Sequence, residues 1–297
     1  NYEVIGEGPS LVMLQGFLAN QSTFSRQLES FSENYQLILL NLRGSAGSNY
    51  AVPPNYGLAT SDLEDLLAIL DAENMHSVNL FAHSSGGATA FALARNVPSR
   101  VDRIVLVEPT LIQLMPSTEY KKIASEHNNV AAVGEAKGAA EGLREVVAKG
   151  GGDAWAQLDK KKQDAALLSM AGCAPFVGPH LRSINDTEVT EEDVKNLQVP
   201  ALLFYGDRSY WWQKFIAGRF RELRPDIMLQ TIKNAGHNVH RDQAEIVNAE
   251  TLGFLSKKRE VFLRYHNQAS SSRKYIPRPE NKIYRPLTLP LLSHHSV

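Results

Sequence analysis

Residues Val78 to Ala88 read Val-Asn-Leu-Phe-Ala-His-Ser-Ser-Gly-Gly-Ala, and this stretch decides the fold. Its first five residues are mostly apolar, and the run is short enough for a strand buried on both faces. The segment Gly86–Asn96 is rich in alanine and is followed by Pro98, which predicts a helix that the proline closes. The sequence therefore predicts that Ser84 lies on a sharp turn between a buried strand and a helix.

Other short apolar runs are similar to this strand. They are Leu11–Leu14, Leu37–Leu40, Ile104–Val107, Ala201–Tyr205 and Ile227–Ile232. Between the early runs, leucines at positions 63, 66, 67 and 70 follow the spacing of one helix face. Alternation of strands and helices is typical of a mostly parallel sheet. We therefore expect an α/β fold with a mostly parallel central sheet and helices on both faces.

The alternation stops after Val107. From Leu111 to Asn196 no strand pattern is visible, and helical segments are expected near Ser117–His127, Gly134–Lys149 and Ala154–Ala171. Because this stretch is too long for a bare loop, we expect a helical cap. The predicted core domain comprises residues 1–110 and 197–258, and the predicted cap comprises residues 111–196.

The end of the chain has a different composition. After a last helix expected near Asp242–Lys258, residues 259–297 form a predicted basic, proline-containing C-terminal extension. From Lys257 onward there are nine Lys or Arg residues against two Glu. Such a segment is typical of a chain that lies on or beyond the protein surface, and its role stays open.

Composition limits the classes of partner. The 297 residues carry a net charge of −1, which gives no electrostatic reason to expect a nucleic acid or a membrane as partner. A single cysteine, Cys173, favours a reducing compartment, so we expect a cytoplasmic protein. The sequence has no H-E-x-x-H motif and no paired cysteines. We expect a small-molecule substrate, no cofactor and no metal. A monomer and a homodimer both stay open.

Two interpretations of Ser84 compete. A serine on a strand-to-helix turn has its hydroxyl pushed clear of the sheet, and the helix N-terminus beside it favours a developing negative charge. The alternative is that Ser84 merely caps the following helix. The predicted strand before it and the predicted helix after it favour a nucleophile. In enzymes with such a serine, two backbone amides stabilise the oxyanion. The predicted donors are Ser85 and, after the run Leu11–Leu14, Phe17.

A histidine after the last strand is the predicted base. His237 follows the run Ile227–Ile232 and precedes the last helix, so its imidazole can reach the edge of the sheet where Ser84 lies. It would accept the serine proton and later return it to the leaving group. A solvated loop histidine is the alternative interpretation, and His240 is a second, weaker candidate for the base.

Several motifs, taken in order, resemble the α/β-hydrolase superfamily over about residues 1–256. They are Gln15-Gly16-Phe17, the segment Asn41–Ser48, His83-Ser84-Ser85-Gly86-Gly87, and Gly236-His237. The resemblance implies a hydrolase fold in which a cap lies in the usual place. The chain departs from the family at Gln15, where a histidine is usual, and at Asn41, where an aspartate is usual.

The resemblance leaves two candidates for the acid that would orient His237. In most of the family the acid follows a strand such as Ala201–Tyr205, but the usual position is occupied by Ser209, and Asp207 stands two residues earlier. Glu108 follows Ile104–Val107, and this placement is similar to that in zearalenone-opening fungal lactonases and cofactor-free quinaldine dioxygenases. We predict Glu108 as the acid and Asp207 as the alternative.

Two tryptophans complete the set of candidate residues. Trp211 and Trp212 either line a substrate pocket or anchor the helix that they begin, and the sequence favours neither interpretation. The predicted activity is that of a carboxylesterase- or lactonase-like serine hydrolase that forms an acyl-Ser84 intermediate. Two alternatives stay open: a cofactor-independent dioxygenase or C–C bond hydrolase on the same fold, and a non-catalytic binding protein.

Overall fold

A computed structural model describes residues 1–45, 47–48 and 51–257. A seven-stranded sheet lies at its centre, with the strand order β1-β3-β2-β4-β5-β6-β7. The strands are β1 (Tyr2–Ile5), β2 (Ser10–Leu14), β3 (Gln36–Leu40), β4 (Val78–His83), β5 (Val101–Val107), β6 (Ala201–Gly206) and β7 (Met228–Ile232). All neighbouring pairs are parallel except β1 and β3, which are antiparallel. The predicted α/β fold with a mostly parallel sheet is confirmed.

The edge strand β1 was not predicted from the sequence. It has four residues and pairs with β3 in the register Tyr2 with Leu40 and Ile5 with Leu37. Its side chains are exposed or half-buried, so it lacks the continuous apolar run that marks the inner strands. Every residue of β4, by contrast, is buried, as expected for a central parallel strand.

The helices flank the sheet in an arrangement that the strand order explains. They are α1 (Leu28–Ser32), α2 (Ser61–Ala72), α3 (Ser85–Asn96), α9 (Trp211–Leu223), α10 (Val239–Asp242) and α11 (Ala244–Leu255). The chain moves towards one edge from β2 to β3 and towards the other edge in all later crossovers. Since parallel crossovers are right-handed, α1 lies on one face and α2, α3 and α9 lie on the other. Consistently, α1 contacts α11, and α2 contacts α3.

Between β5 and β6 the described chain is helical. The helices are α4 (Ser117–Lys137), α5 (Ala139–Ala156), α6 (Lys160–Ser169), α7 (Val177–Asp186) and α8 (Glu191–Lys195). Short 3-10 helices at Ile112–Leu114 and Ala171–Phe176 connect some of them.

The predicted boundaries of these helices were wrong at two places. Helix α4 runs without a break through His127 and ends before Gly138, which has a φ of +98°. Gly134, which was predicted to begin a helix, instead lies inside α4. A side-chain carbon added at Gly142 on α5 would meet the Gly134 Cα at 2.9 Å. The two glycines therefore allow α4 and α5 to pack closely. Residues 154–171, predicted as one helix, are divided between the end of α5, α6 and the start of a 3-10 helix.

The basic C-terminal extension predicted at residues 259–297 lies outside the described residues. Within residues 1–45, 47–48 and 51–257, no helix is both long and apolar enough to cross a membrane.

The strand order places a crevice at the carboxyl end of β2. The chain leaves β2 towards β3 on one side, whereas β4 pairs with β2 on the other side. Ligands of open α/β sheets bind at such a reversal, outside the carboxyl ends of the strands. The loop after β2 and the turn after β4 meet here. A side-chain carbon added at Gly86 would lie 2.5 Å from the Gln15 carbonyl oxygen and 2.6 Å from that of Leu14.

This close approach predicts that Gly86→Ala destabilises the protein by about 1–3 kcal/mol, the usual cost of overpacking a tight site. Gly218→Ala is the matched control, because Gly218 lies in α9 with nothing within 4 Å of the added carbon. The control should gain about 0.5–1 kcal/mol from reduced chain entropy. Urea unfolding followed by circular dichroism measures both. Equal shifts of the two midpoints would show that the contact between the two loops is loose.

Candidate active site

Ser84 stands on a strained turn between β4 and α3. Its backbone has φ 54° and ψ −121°, a conformation that costs a non-glycine residue about 1–3 kcal/mol. Hydrogen bonds hold it in place: its N–H donates to the Val107 carbonyl at 3.0 Å, and its carbonyl accepts from the N–H groups of Gly87 and Thr110 at 2.9 and 3.0 Å. The Ser84 side chain makes no capping hydrogen bond to α3. Its hydroxyl is thus directed away from the helix, against the capping interpretation.

The Ser84 hydroxyl contacts two side chains. The Nε2 atom of His237 lies 3.0 Å from Oγ, and the Thr110 hydroxyl lies 3.2 Å from it. His237 follows β7 in a loop that precedes α10, and its side chain is 24% exposed. This distance suits transfer of the serine proton to the imidazole.

Glu108 binds the other nitrogen of the same imidazole. Its Oε2 atom lies 2.6 Å from His237 Nδ1, and Ser209 Oγ donates to that oxygen at 2.5 Å. The second oxygen, Oε1, accepts from the Gly206 N–H at 2.8 Å. The carboxyl group is fully buried, so these three contacts compensate the loss of water around it. Gln213 Nε2 also donates to the Glu108 backbone carbonyl at 2.8 Å.

The alternative acid, Asp207, has different contacts. One of its carboxyl oxygens lies 3.9 Å from Lys233 Nζ, and its backbone carbonyl accepts from Lys214 Nζ at 2.6 Å. The structure therefore brings Ser84, His237 and Glu108 into one hydrogen-bonded chain and gives Asp207 a partner of its own. Sequence reasoning missed the contact of Ser209 with Glu108. The sequence did contain a signal for this contact, because Ser209 occupies the position where most relatives carry the acid.

The two predicted amide donors lie on segments that adjoin the serine. Phe17 follows Gly16, where an added side-chain carbon would lie only 2.9 Å from Ser84 Cβ. Ser85 is the first residue of α3, and it is fully buried. The segments that carry the two predicted donors therefore both lie beside Ser84.

The two departures from the family pattern both occur in well-packed places. Gln15 is fully buried. With its amide oriented to satisfy both groups, it donates to the Leu40 carbonyl at 2.5 Å and accepts from the Leu42 N–H at 2.8 Å. Asn41 accepts from the Gln21 N–H at 2.9 Å and donates to the Gln21 side chain at 3.1 Å. Both side chains thus brace the loop that carries Gly16.

Two aromatic rings lie near His237. The ring of Tyr210 lies 5.6 Å from the imidazole, and the ring of Trp212 lies 6.4 Å from it. These two rings stack on each other at 5.8 Å. Trp211, the other tryptophan of the predicted pocket, is 54% exposed. The structure places Trp212 and the unpredicted Tyr210 next to the histidine.

Residues from the segment between β5 and β6 pack against the loops after β2 and β3. Phe176 packs over Gly44, where an added side-chain carbon would lie 2.5 Å from the ring. A small cavity is lined by Phe17, Arg43, Cys173, Phe176 and His180, among others. The cavity therefore lies between the first predicted amide donor and helix α7.

Two buried histidines support the loop of His237. His83 Nε2 lies 3.1 Å from the His237 carbonyl oxygen, and the His83 ring packs 4.5 Å from that of His240. Burial is the main cause that lowers the pKa of His83 well below its ordinary value, with the neighbouring imidazoles of His240 and His237 adding to it. Burial likewise lowers the pKa of His240 to about 3. Both rings stay neutral near pH 7, and His83 can donate to the His237 carbonyl.

No group of three or more His, Cys, Asp or Glu side chains could hold a metal ion in the part of the chain that the structure describes.

A sequence model of the family described as alpha/beta hydrolase fold matches residues 9–244. The match spans strands β2 to β7, the serine turn and the histidine loop. The chain belongs to this family, so the resemblance inferred from the motifs is confirmed.

Relatives cover most of the chain at low identity. A carboxylesterase of Bacillus subtilis named YbfK is 23% identical over 257 residues, which are 84% of this chain and 81% of the relative. A solved thermophilic esterase from Thermogutta terrifontis superposes with a TM-score of 0.71 at 18% identity, covering 86% of this chain and 92% of the other. For the enol-lactonase of Burkholderia xenovorans the TM-score is 0.65 at 17% identity, with 86% and 96% covered. The structures share the fold of this chain, and the predicted hydrolase class agrees with the names of its relatives.

The neutral histidines predict an acid-sensitive fold. The pKa of His240 falls from 6.5 to about 3 on folding, so the unfolded chain binds more protons than the folded chain between these pH values. Stability is therefore present above pH 6.5 and is lost as the pH falls towards 3. His240 alone should account for a loss of about 2 kcal/mol at pH 5.

The measurement compares the unfolding free energy at pH 7.5 and pH 5 for wild type and His240→Asn. We expect the difference between the two pH values to shrink in His240→Asn, whatever its stability at pH 7.5. His76→Asn is the control, because His76 is exposed. An unchanged pH dependence in His240→Asn would show that folding does not lower the pKa of His240.

Proposed function

We propose that the protein is a serine hydrolase that cleaves an ester or lactone of a small organic substrate through an acyl-Ser84 intermediate. One observation supports this most strongly: His237 lies 3.0 Å from Ser84 Oγ and 2.6 Å from Glu108 Oε2. A hydroxyl, an imidazole and a carboxylate in this order form the arrangement of a catalytic triad. A cofactor-independent dioxygenase that used only His237 and Glu108 would not require the contact between His237 and Ser84 Oγ.

In the first half of the reaction, Ser84 Oγ attacks the carbonyl carbon of the substrate while its proton passes to His237 Nε2. The amides of Phe17 and Ser85 would form the oxyanion hole that stabilises the charge on the carbonyl oxygen. The Glu108 carboxylate holds the proton on His237 Nδ1, and so stabilises the imidazolium. When the tetrahedral intermediate collapses, the carbon–oxygen bond breaks and the leaving alkoxide takes the proton from Nε2.

In the second half, water replaces the alcohol. His237 Nε2 accepts a proton from water as the hydroxide attacks the acyl carbon, and the same amides again stabilise the oxyanion. Collapse of this intermediate releases the carboxylic acid and returns the proton to Ser84 Oγ. With a lactone, the alcohol released in the first half stays attached to the acyl group.

We propose that residues 111–196 act as the cap of this hydrolase, as predicted from the sequence. Phe176 and His180 of this segment line a cavity together with Phe17, which favours a role in choosing the substrate. Tyr210 and Trp212 would provide a second wall beside His237. Relatives named carboxylesterase and enol-lactonase are consistent with ester or lactone substrates.

Ser84→Ala should abolish hydrolysis of p-nitrophenyl butyrate, with a loss of about 10³-fold or more in kcat, since the nucleophile is removed. The thermal unfolding midpoint should change little, because the serine hydroxyl is half-exposed and caps nothing. A fluorophosphonate probe should label wild type and leave the variant unlabelled. Unchanged turnover by Ser84→Ala would contradict the acyl-serine mechanism, and a silent wild-type serine would favour a non-catalytic binding protein.

Glu108→Gln should lower kcat by about 10²-fold or more, because a neutral amide stabilises the imidazolium less well. Asp207→Asn is its matched control, with a carboxyl of similar size that pairs with Lys233, and it should retain activity within about threefold. Steady-state kinetics with p-nitrophenyl butyrate tests both variants. The reverse ranking would assign the acid to Asp207.

A second variant tests whether the acid can be moved. Ser209 Oγ binds the same Glu108 oxygen that His237 binds, so an aspartate at this position can approach the imidazole. The double variant Glu108→Gln/Ser209→Asp should recover at least about 10-fold of the activity lost in Glu108→Gln. No recovery would show that the Glu108 position alone can orient the imidazole.

A further inference from the structure

A buried histidine of helix α7 lies beside the first proposed oxyanion donor. The His180 ring stacks on Phe17 with 4.2 Å between centroids and 13° between planes. His180 is 5% exposed and lines the same small cavity as Gly16 and Phe17. Gly16 lies close to Ser84, because a side-chain carbon added there would be 2.9 Å from Ser84 Cβ. The cavity that His180 lines therefore adjoins the segment that carries the proposed oxyanion donor Phe17.

One nitrogen of this imidazole is occupied by a hydrogen-bonded chain. Tyr56 donates its hydroxyl proton to Asp62 Oδ2 at 2.8 Å, and the same hydroxyl oxygen lies 3.2 Å from His180 Nδ1. A phenol has one proton to donate. When the Asp62 carboxylate accepts that proton, the Tyr56 oxygen can only accept from His180, so Nδ1 must carry the hydrogen.

The other nitrogen is thereby left as an acceptor. A neutral imidazole with a hydrogen on Nδ1 has a lone pair on Nε2, and Nε2 of His180 has no hydrogen-bond partner among the described residues. Burial lowers the pKa of His180 to about 3, and His127 adds to this shift. The ring stays neutral at ordinary pH, and a buried acceptor without a partner is costly.

We propose that His180 Nε2 accepts a hydrogen bond from a hydroxyl group of the substrate, and that Tyr56 and Asp62 hold the imidazole in this accepting form. The inference rests on the proposed function and narrows its substrate class to hydroxylated esters or hydroxylated lactones. His180 becomes a specificity-determining residue, whereas Tyr56 and Asp62 are positioning residues that act through it.

The hydrogen-bonded chain of Asp62, Tyr56 and His180 also predicts how pH changes the preference for a substrate hydroxyl. Burial is the main cause that raises the pKa of Asp62 to about 7. The hydrogen bond from Tyr56 and the charge of Arg43 oppose the shift, whereas Asp65 on the same helix adds to it. Arg43 is itself paired with Asp65 at 2.6 and 2.7 Å.

Protonation of Asp62 reverses the chain of donors. A protonated carboxyl donates to the Tyr56 oxygen, which frees the Tyr56 proton for His180 Nδ1. The hydrogen of the imidazole then moves to Nε2, which becomes a donor. The preference for a hydroxyl should therefore weaken as the pH falls from 8 to 6.

Two-dimensional ¹⁵N–¹H spectra of the 297-residue protein, labelled at histidine, report the tautomer of His180 without any substrate. The His180 signal is assigned by its loss in His180→Phe, a variant that keeps an aromatic ring against Phe17. We expect Nε2 to be unprotonated at pH 8 in wild type. Tyr56→Phe, which keeps the ring edge against Phe176, should mix the two tautomers. A hydrogen on Nε2 at pH 8 would overturn the proposal.

Pairs of substrates with and without a hydroxyl group measure the proposed preference for hydroxylated substrates. The ratio of kcat/KM for p-nitrophenyl 3-hydroxybutyrate over p-nitrophenyl butyrate covers a hydroxyl on the acyl side. The ratio for 2-hydroxyethyl butyrate over propyl butyrate covers the alcohol side. One of the two ratios should be about 10 in wild type at pH 8, the usual effect of one good hydrogen bond, and it should approach 1 in His180→Phe. His76→Asn, an exposed site, should keep the wild-type ratio.

Lowering the pH to 6 should reduce the same ratio, and ionisations that both substrates share cancel in it. A ratio that is near 1 for both pairs in wild type, or that survives in His180→Phe, overturns the inference while hydrolysis itself still supports the proposed function. A ratio that is constant with pH overturns the proposal that Asp62 controls the tautomer of His180.

Binding to the Ser84→Ala variant tests the role of His180 independently of the proposed hydrolase function. Calorimetric titration with ethyl 3-hydroxybutyrate and ethyl butyrate, and with 2-hydroxyethyl butyrate and propyl butyrate, measures the preference without turnover. If wild type hydrolyses none of the esters but Ser84→Ala binds a hydroxylated ester about 10-fold more tightly, the proposed function fails and the role of His180 stands. Equal affinities within both pairs overturn the role of His180.

Discussion

The buried carboxylate of Glu108 is the interaction on which the candidate site depends. A charge removed from water is stable only when charged or polar partners surround it. Here the partners come from two parts of the chain: the end of β6 and its following turn provide Gly206 N–H and Ser209, and the loop after β7 provides His237. Glu108 itself follows β5, so these contacts join three loops. The compensation of one charge thus fixes the relative positions of three loops, and through His237 it fixes the approach to Ser84.

Much of this arrangement follows from local patterns in the sequence. Apolar runs buried on both faces mark the inner strands, and a parallel sheet brings their carboxyl ends to one edge. Ser84, Glu108 and His237 each follow such a run, so the sequence predicts their meeting without any measured distance. The unusual backbone of Ser84 and of Glu108, with φ of 54° and 46°, is the part that the sequence does not predict. Positive φ at both residues points to strain kept at the site by the surrounding hydrogen bonds.

Contacts between distant segments account for what the sequence did not predict. The hydrogen bond between Tyr56 and His180 joins residues 124 positions apart, and no periodicity signals it. A helix was predicted to begin near Gly134, but Gly134 lies inside α4 and packs closely against Gly142. Edge strand β1 is short and half-exposed, so it lacks the apolar run by which its neighbours were recognised. In each case tertiary contacts override the local preference.

The position of Glu108 after β5 and the usual acid position of the family, Ser209 after β6, lie within reach of the same histidine. Strands β5 and β6 are neighbours in the sheet, and Glu108 N–H donates to the Phe204 carbonyl at 3.0 Å, so their carboxyl ends lie side by side below the same histidine. A longer side chain at the end of β5 and a shorter one three residues beyond β6 can therefore reach the same imidazole nitrogen. When Glu108 holds the charge, a second carboxylate at position 209 would repel it, whereas the hydroxyl of Ser209 donates to it. The serine at the usual acid position is thus the complement of the glutamate rather than the loss of a functional group.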